Sequence, residues 1–156
     1  MHIEIIAVGQ KMPDWVNQGF ADYANRFAAD ITLKLTEIPL QKRASASQLA
    51  SAQQKEAAQI RAAVQGFDHI VILDIPGREH SSESLARRLQ HWQETSRRVA
   101  LIIGGPEGIA ADIKALAQES WSLGKLTLPH PLVRIVVAEA LYRAWSINRN
   151  HPYHRA

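Results

Sequence analysis

At 156 residues, 46% of them hydrophobic and 21% charged, the chain has the length of one folded domain and the balance of a water-soluble globular protein. It has no cysteine, which excludes disulfides and thiolate metal sites without fixing a compartment. The formal charge of +3 is mildly basic. No apolar run reaches membrane-span length, and Met1-His2-Ile3-Glu4 lacks the basic-then-apolar layout of a secretion signal, so a cytoplasmic protein with no membrane contact is expected.

In chain order, Ile3 to Val8 is an apolar strand ended by Gly9. Pro13-Asp14 suits a first helical turn, after which Val16, Phe20, Tyr23 and Phe27 repeat at helical spacing until Asp30. Ile31, Leu33 and Leu35 alternate with polar residues, a half-buried strand running to Pro39. Residues 40 to 47 read as a loop, followed by an alanine- and glutamine-rich helix to about Val64. Ile70 to Ile75 is a buried strand, and Ser81 or Ser82 caps the helix carrying Leu85, Leu89 and Trp92. Val99 to Ile103 is the next strand, then a helix over Ile109 to Ala117, a strand over Leu123 to Leu128 and a last helix from Pro131 to about Ile147. This alternation predicts an α/β domain spanning 1–156, with a mostly parallel sheet and helices on both faces. In such sheets ligands sit beyond the carboxyl ends of the strands.

The last helix is apolar around nearly its whole circumference, from Leu132 and Val133 to Trp145 and Ile147. A helix of that kind must be covered on all sides, and a second copy of the chain is the economical cover, so a homodimer is expected. Trp145 reads as core. Arg134, Arg143, Arg149 and Arg155 share this last stretch with His130, His151 and His154. Between residues 130 and 156 only Glu139 opposes them, a distribution that suits a phosphate-rich partner or a solvated basic surface.

Two apolar runs end in residues that force sharp turns: Ile102-Ile103-Gly104-Gly105-Pro106-Glu107-Gly108 and Leu126-Thr127-Leu128-Pro129-His130-Pro131. Together with Leu73-Asp74-Ile75-Pro76-Gly77 they place three turns at strand ends, where backbone groups can hold a small ligand. Gly104 would let the backbone approach that ligand closely. Glu107 reads as a cap for the following helix and His130 as a helix start, with contact to the ligand as the alternative for each. Val8-Gly9-Gln10-Lys11-Met12 lacks the glycine spacing of a dinucleotide site, and Gly104 to Gly108 is not followed by the Lys-Ser/Thr of a P-loop. The histidines show no paired helical spacing, so no metal is expected.

These motifs, with Trp121-Ser122-Leu123 and the tail Asn150-His151-Pro152-Tyr153-His154-Arg155, resemble at full length the SPOUT-class, trefoil-knotted RNA methyltransferases. The closest resemblance is to those acting on N3 of a pseudouridine in large-subunit ribosomal RNA. The resemblance implies a C-terminal trefoil knot, a homodimer joined through it, and S-adenosylmethionine bound there without metal. Carried over by motif, the cofactor contacts are Leu73, Gly104, Leu123, Gly124, Lys125, Leu126, Thr127 and Leu128. The implied substrate is 23S rRNA within the assembled 70S ribosome.

Methyl transfer to an imide nitrogen requires that nitrogen to lose its proton. The catalytic candidates are Tyr153, His154 and Arg155: Arg155 to meet a phosphate or the developing anion, His154 to position the base or take its proton, and Tyr153 to stack on a displaced base. A non-catalytic ribosome-assembly factor would need the basic tail without the cofactor cleft, and a small-molecule enzyme the cleft without the tail.

Overall fold

The computed structural model describes residues 1–155. The first strand, β1 (His2–Val8), is an inner strand of the sheet. Ile3, Ile5, Ile6 and Ala7 have no exposed surface, because a central parallel strand is covered on both faces. It pairs with β2 (Thr32–Ile38) on one side and β4 (Arg98–Ile103) on the other. β3 (His69–Glu79) pairs with β4, and β5 (Glu119–Ser122) with β3. All four pairings are parallel, in the order β2-β1-β4-β3-β5.

Side-chain alternation divides the core into two layers. Ile3, Ile5 and Ala7 face α1 (Asp14–Ala24), α3 (Ser82–Thr95) and α5 (His130–Asn148), packing with Phe20, Leu89, Trp92, Leu141 and Trp145. Ile6 and Val8 face α2 (Ala46–Ala63) and α4 (Ala111–Lys114), packing with Ala57, Ile60 and Ile113. The expected parallel α/β sheet with helices on both faces is therefore present. Ser81 caps α3 by accepting from the Ser84 N–H, and Trp145 is core, its indole donating to Asp30.

Two expected elements differ. Leu123 to Leu128 is not a strand: β5 ends at Ser122, whose hydroxyl bonds both the N–H and the carbonyl of Gly124. Gly124 has φ +119° and Leu126 is 82% exposed, so the segment turns away from the sheet as an irregular wall. The helix expected over Ile109 to Ala117 is confined to Ala111–Lys114, and its N-cap, Ala110, offers no side-chain acceptor.

β5 is anchored by Glu119. Its carboxylate accepts from Arg88 at 2.6 Å and 3.0 Å, from the Trp92 indole at 3.0 Å, from the Trp121 indole at 3.2 Å and from His69. Burial alone would raise its pKa, but these donors prevail and hold it at about 2. A folded-state value below the unfolded one stabilises the fold above the unfolded pKa, and that stability is lost as pH falls through the folded value. We expect unfolding free energy to drop by on the order of 3 kcal/mol between pH 5 and pH 2 from this group. Urea titrations at stepped pH should show the slope flattened in Glu119→Gln.

Candidate active site

Beyond the carboxyl ends of β1, β3, β4 and β5 lies a cavity of about 570 Å³, within the range of small-molecule sites. Its walls come from separate parts of the chain. Val8, Gly9 and Met12 close it at the end of β1, and Leu40 follows β2. Leu73, Asp74 and Ile75 stand where β3 becomes irregular: Leu73 and Arg78 both pair with Trp121, so residues 74–77 loop out between them. Gly77 is required there, since a Cβ would lie 2.6 Å from the Trp121 carbonyl carbon.

After β4, the chain reverses through Gly105 to Gly108, closed by the Gly108 N–H donating to the Gly105 carbonyl at 3.0 Å. Gly104 lines the cavity, but a ligand is not what requires its glycine. An added Cβ would meet the carbonyl carbon and oxygen of Gly108 at 2.8 Å, so the tight turn itself excludes a side chain. Trp121 to Gly124, then Leu126 to Leu128, form the opposite wall, and His130 and Val133 at the start of α5 complete it. Of the eight residues expected around the cofactor, all but Lys125 line this one space.

The charges around the cavity are internally paired. Asp74 meets Lys114 at 2.8 Å. Glu107 does not cap α4; it pairs with Arg43 at 2.9 Å, and Arg43 also grips the buried Glu56 at 2.7 Å. This ties the loop after β2, with Leu40, to the turn after β4. Arg134 is 0% exposed; it donates to Glu37 at 2.6 Å and to the Gly9 carbonyl at 2.7 Å, joining α5 to the ends of β2 and β1. His130, one helical turn before it, has its pKa lowered by burial and then by the Arg134 charge, with the Gly104 backbone pulling weakly the other way.

The tail lies elsewhere in its own protomer. The Tyr153 hydroxyl donates to Glu139 at 2.9 Å, and its ring meets Tyr142 edge-on. Burial, followed by its bonds to Tyr23 and Glu139, raises the Tyr153 pKa, so the phenol stays protonated near neutrality and cannot act as a base. His154 sits between Arg143 and Glu83, and Arg155 is exposed. None of the three lines the cavity. Val133 and Tyr142 are separated by about 13 Å of helix rise. Sequence reasoning passed over Asp74 and Met12 as lining residues and Arg134 behind them, and it read His130 as a helix start with contact to cofactor or RNA as its second reading. Arg134 had a legible signal, an arginine set within a helix otherwise apolar all round.

Residues 1–154 match the family of predicted SPOUT methyltransferases. The chain is 68% identical, over 100% of both lengths, to the ribosomal RNA large subunit methyltransferase H of Dichelobacter nodosus (strain VCS1703A). Its fold resembles a probable methyltransferase from Bordetella pertussis Tohama I, with TM-score 0.60 at 15% identity, covering 91% of this chain and 95% of that one. It also resembles a probable methylase family protein from Haemophilus influenzae Rd KW20, with TM-score 0.59 at 12% identity, covering 99% of this chain and 70% of that one. A parallel sheet whose strand ends enclose one apolar cavity, matched over almost the whole chain by one family and by a close full-length relative, establishes that this protein belongs to the SPOUT methyltransferases.

Proposed function

We propose that this chain transfers the methyl group of S-adenosylmethionine to N3 of a pseudouridine in 23S rRNA, acting on the assembled 70S ribosome in the cytoplasm as a homodimer. In this reading residues 1–156 form a single SPOUT domain, and its C-terminal part is threaded as a trefoil knot. The cavity carries the reading: one open space walled by the three motif segments, with apolar sides and backbone polar edges. Such a lining suits a nucleoside, whose base is flat and apolar with a polar rim. The large-subunit RNA follows from the name of the 68% identical relative, and the pseudouridine and ribosome from the resemblance of the motifs.

Leu73, Leu126 and Leu128 would flank the adenine while the backbone of Gly104 and of Leu123 to Leu128 meets its polar edge and the ribose. When bound, the cofactor supplies an electrophilic methyl group on a sulfonium, so the protein's share is alignment and proton management. Arg155 and His154, which lie away from the cavity of their own protomer, would hold the RNA at the cavity of the other protomer, with Arg155 stabilising negative charge on the base.

The homodimer is supported by apolar surface on adjacent helices. Leu132 and Val136 of α5 are 36% and 37% exposed, and Trp15 of α1 is 54% exposed. The two helices touch where Gly19 meets Ile135. Sedimentation should give two chains per particle for the wild type, and Val136→Glu should shift it toward one by burying a charge in an apolar contact.

The first test is transfer of labelled methyl from S-adenosylmethionine to ribosomes lacking the modification, with free ribosomal RNA and separated subunits in parallel. Label on a large-subunit pseudouridine only with assembled ribosomes is the expected result. Cofactor binding without label on any ribosomal substrate would refute the substrate.

A further inference from the structure

Three of the loops that meet at the cavity contain no carboxylate. Residues 9–13 follow β1, 39–45 follow β2 and 123–129 follow β5, and none of them is Asp or Glu. Each loop holds a lysine beside residues that line the cavity: Lys11 between Gly9 and Met12, Lys42 two positions after Leu40, and Lys125 between Gly124 and Leu126. All three lysines are exposed. Other cations near the cavity are taken by acids of the chain itself, Arg43 by Glu56 and Glu107, Lys114 by Asp74, and Arg134 by Glu37. Among the described residues Lys11, Lys42 and Lys125 pair with no carboxylate, so their charge is open to a partner from outside.

The backbone at Lys11 adds to this. Its φ of +57° lies in the left-handed region, where glycine or asparagine fits with less strain. A side chain kept there against that preference, exposed and unpaired beside a ligand cavity, points to a use outside the fold. Lys125 is the one expected cofactor residue that does not line the cavity, and a place on its rim gives it a different role.

An apolar rim accompanies the lysines. Leu40, Ile75 and Leu126 line the cavity and are nevertheless 51%, 76% and 82% exposed. Exposed apolar side chains with cations beside them match a chain of flat bases joined by phosphates. A duplex hides its base faces, so the matching partner is single-stranded at this point.

We propose that Lys11, Lys42 and Lys125 form a phosphate-binding collar at the cavity mouth for the single-stranded RNA that flanks the target base, with Leu40, Ile75 and Leu126 meeting its bases. The proposal rests on the ribosomal RNA methyltransferase reading above and adds to it the surface that holds the substrate. The lysines act on binding and leave the methyl transfer step itself to others.

The test is a salt titration on the full-length protein. Affinity for ribosomes lacking the modification, and for a short single-stranded RNA, is measured at stepped potassium chloride for the wild type and for a variant combining Lys11→Gln, Lys42→Gln and Lys125→Gln. Each lysine that displaces a counterion from single-stranded RNA contributes about 0.7 to the slope of log affinity against log salt, or about fivefold in affinity near about 0.1 M salt. The triple variant should therefore lose about 2 from the slope and about 10²-fold in affinity on both substrates, with S-adenosylmethionine affinity within about threefold of the wild type. Arg97→Gln, exposed at the opposite end of the sheet where β4 begins, should lose neither. A wild-type slope in the triple variant overturns the proposal. An equal loss in Arg97→Gln overturns it too, since charge anywhere on the surface would then suffice. So does a loss on ribosomes with none on the bare RNA, which assigns the lysines to an acidic ribosomal protein, and so does a parallel loss of cofactor affinity. If the wild type transfers no methyl to any ribosomal RNA, the methyltransferase reading falls and this proposal with it. Wild-type transfer with an undiminished slope in the triple variant removes this proposal alone.

Discussion

Arg134→Met should cost the fold about 3 kcal/mol and weaken cofactor binding, although the residue does not line the cavity. Among the described residues the guanidinium alone ties the start of α5 to both the Glu37 carboxylate and the Gly9 carbonyl, and it has no exposed surface. Methionine fills much of the volume but leaves the Gly9 carbonyl without its donor and Glu37 without its counter-charge. The Glu37 side chain is 32% exposed and can take up water, which keeps the cost at the lower end of the range for broken buried pairs. Glu37→Gln should also destabilise, because the arginine stays charged and buried while its partner becomes neutral. The double variant should recover part of the loss, the sign that the two residues act as one unit. Urea midpoints at an unchanged denaturant slope measure all three. Because Gly9 and Met12 form the β1 side of the cavity, the single Arg134 variant should bind cofactor less tightly, whereas a surface variant such as Lys55→Ala should not. A cost for Arg134→Met below 1 kcal/mol would show that the cross-link contributes little.

Much of the sheet was legible because β1, β3 and β4 carry the apolar runs Ile5 to Val8, Ile70 to Leu73 and Val99 to Ile103, and strands covered on both faces read that way. The segment Leu123 to Leu128 has the same composition and a different fate. Its leucines face a cavity rather than a sheet, and composition alone does not distinguish the two surroundings. The true strand, Glu119–Ser122, was hidden because its first residue is a carboxylate stabilised by donors up to 50 positions away in sequence. Glu107 was misread for a similar reason. An acid before a helix suggests a cap, but Arg43, more than sixty residues earlier, takes it instead. The cavity wall was readable from three turn motifs. What was not readable is the set of residues that join those motifs, since Asp74–Lys114, Arg43–Glu107 and Arg134–Gly9 are long-range pairs with no local pattern.

Removing residues 150–156 should abolish methyl transfer while leaving cofactor affinity nearly unchanged, the largest effect expected of any change in the chain. Within one protomer Tyr153 and His154 are held against Glu139, Arg143 and Glu83, well along α5 from the cavity-lining Val133. Yet the tail carries exposed Arg155 and the aromatic and imidazole groups suited to a displaced base. The two observations are compatible if a dimer built on the exposed face of α5 brings each tail to the other protomer's cavity. Complementation tests this directly. A tail-deleted chain and a full-length chain with Leu126→Asp, placed on the open cavity wall, should each be inactive as homodimers. When they are mixed and allowed to exchange, half the dimers pair an intact cavity with an intact tail from the other chain. About a quarter of wild-type activity should then return, because each such dimer holds one working site of two. Service of each cavity by its own chain's tail predicts no recovery at all, because no single chain in the mixture has both parts.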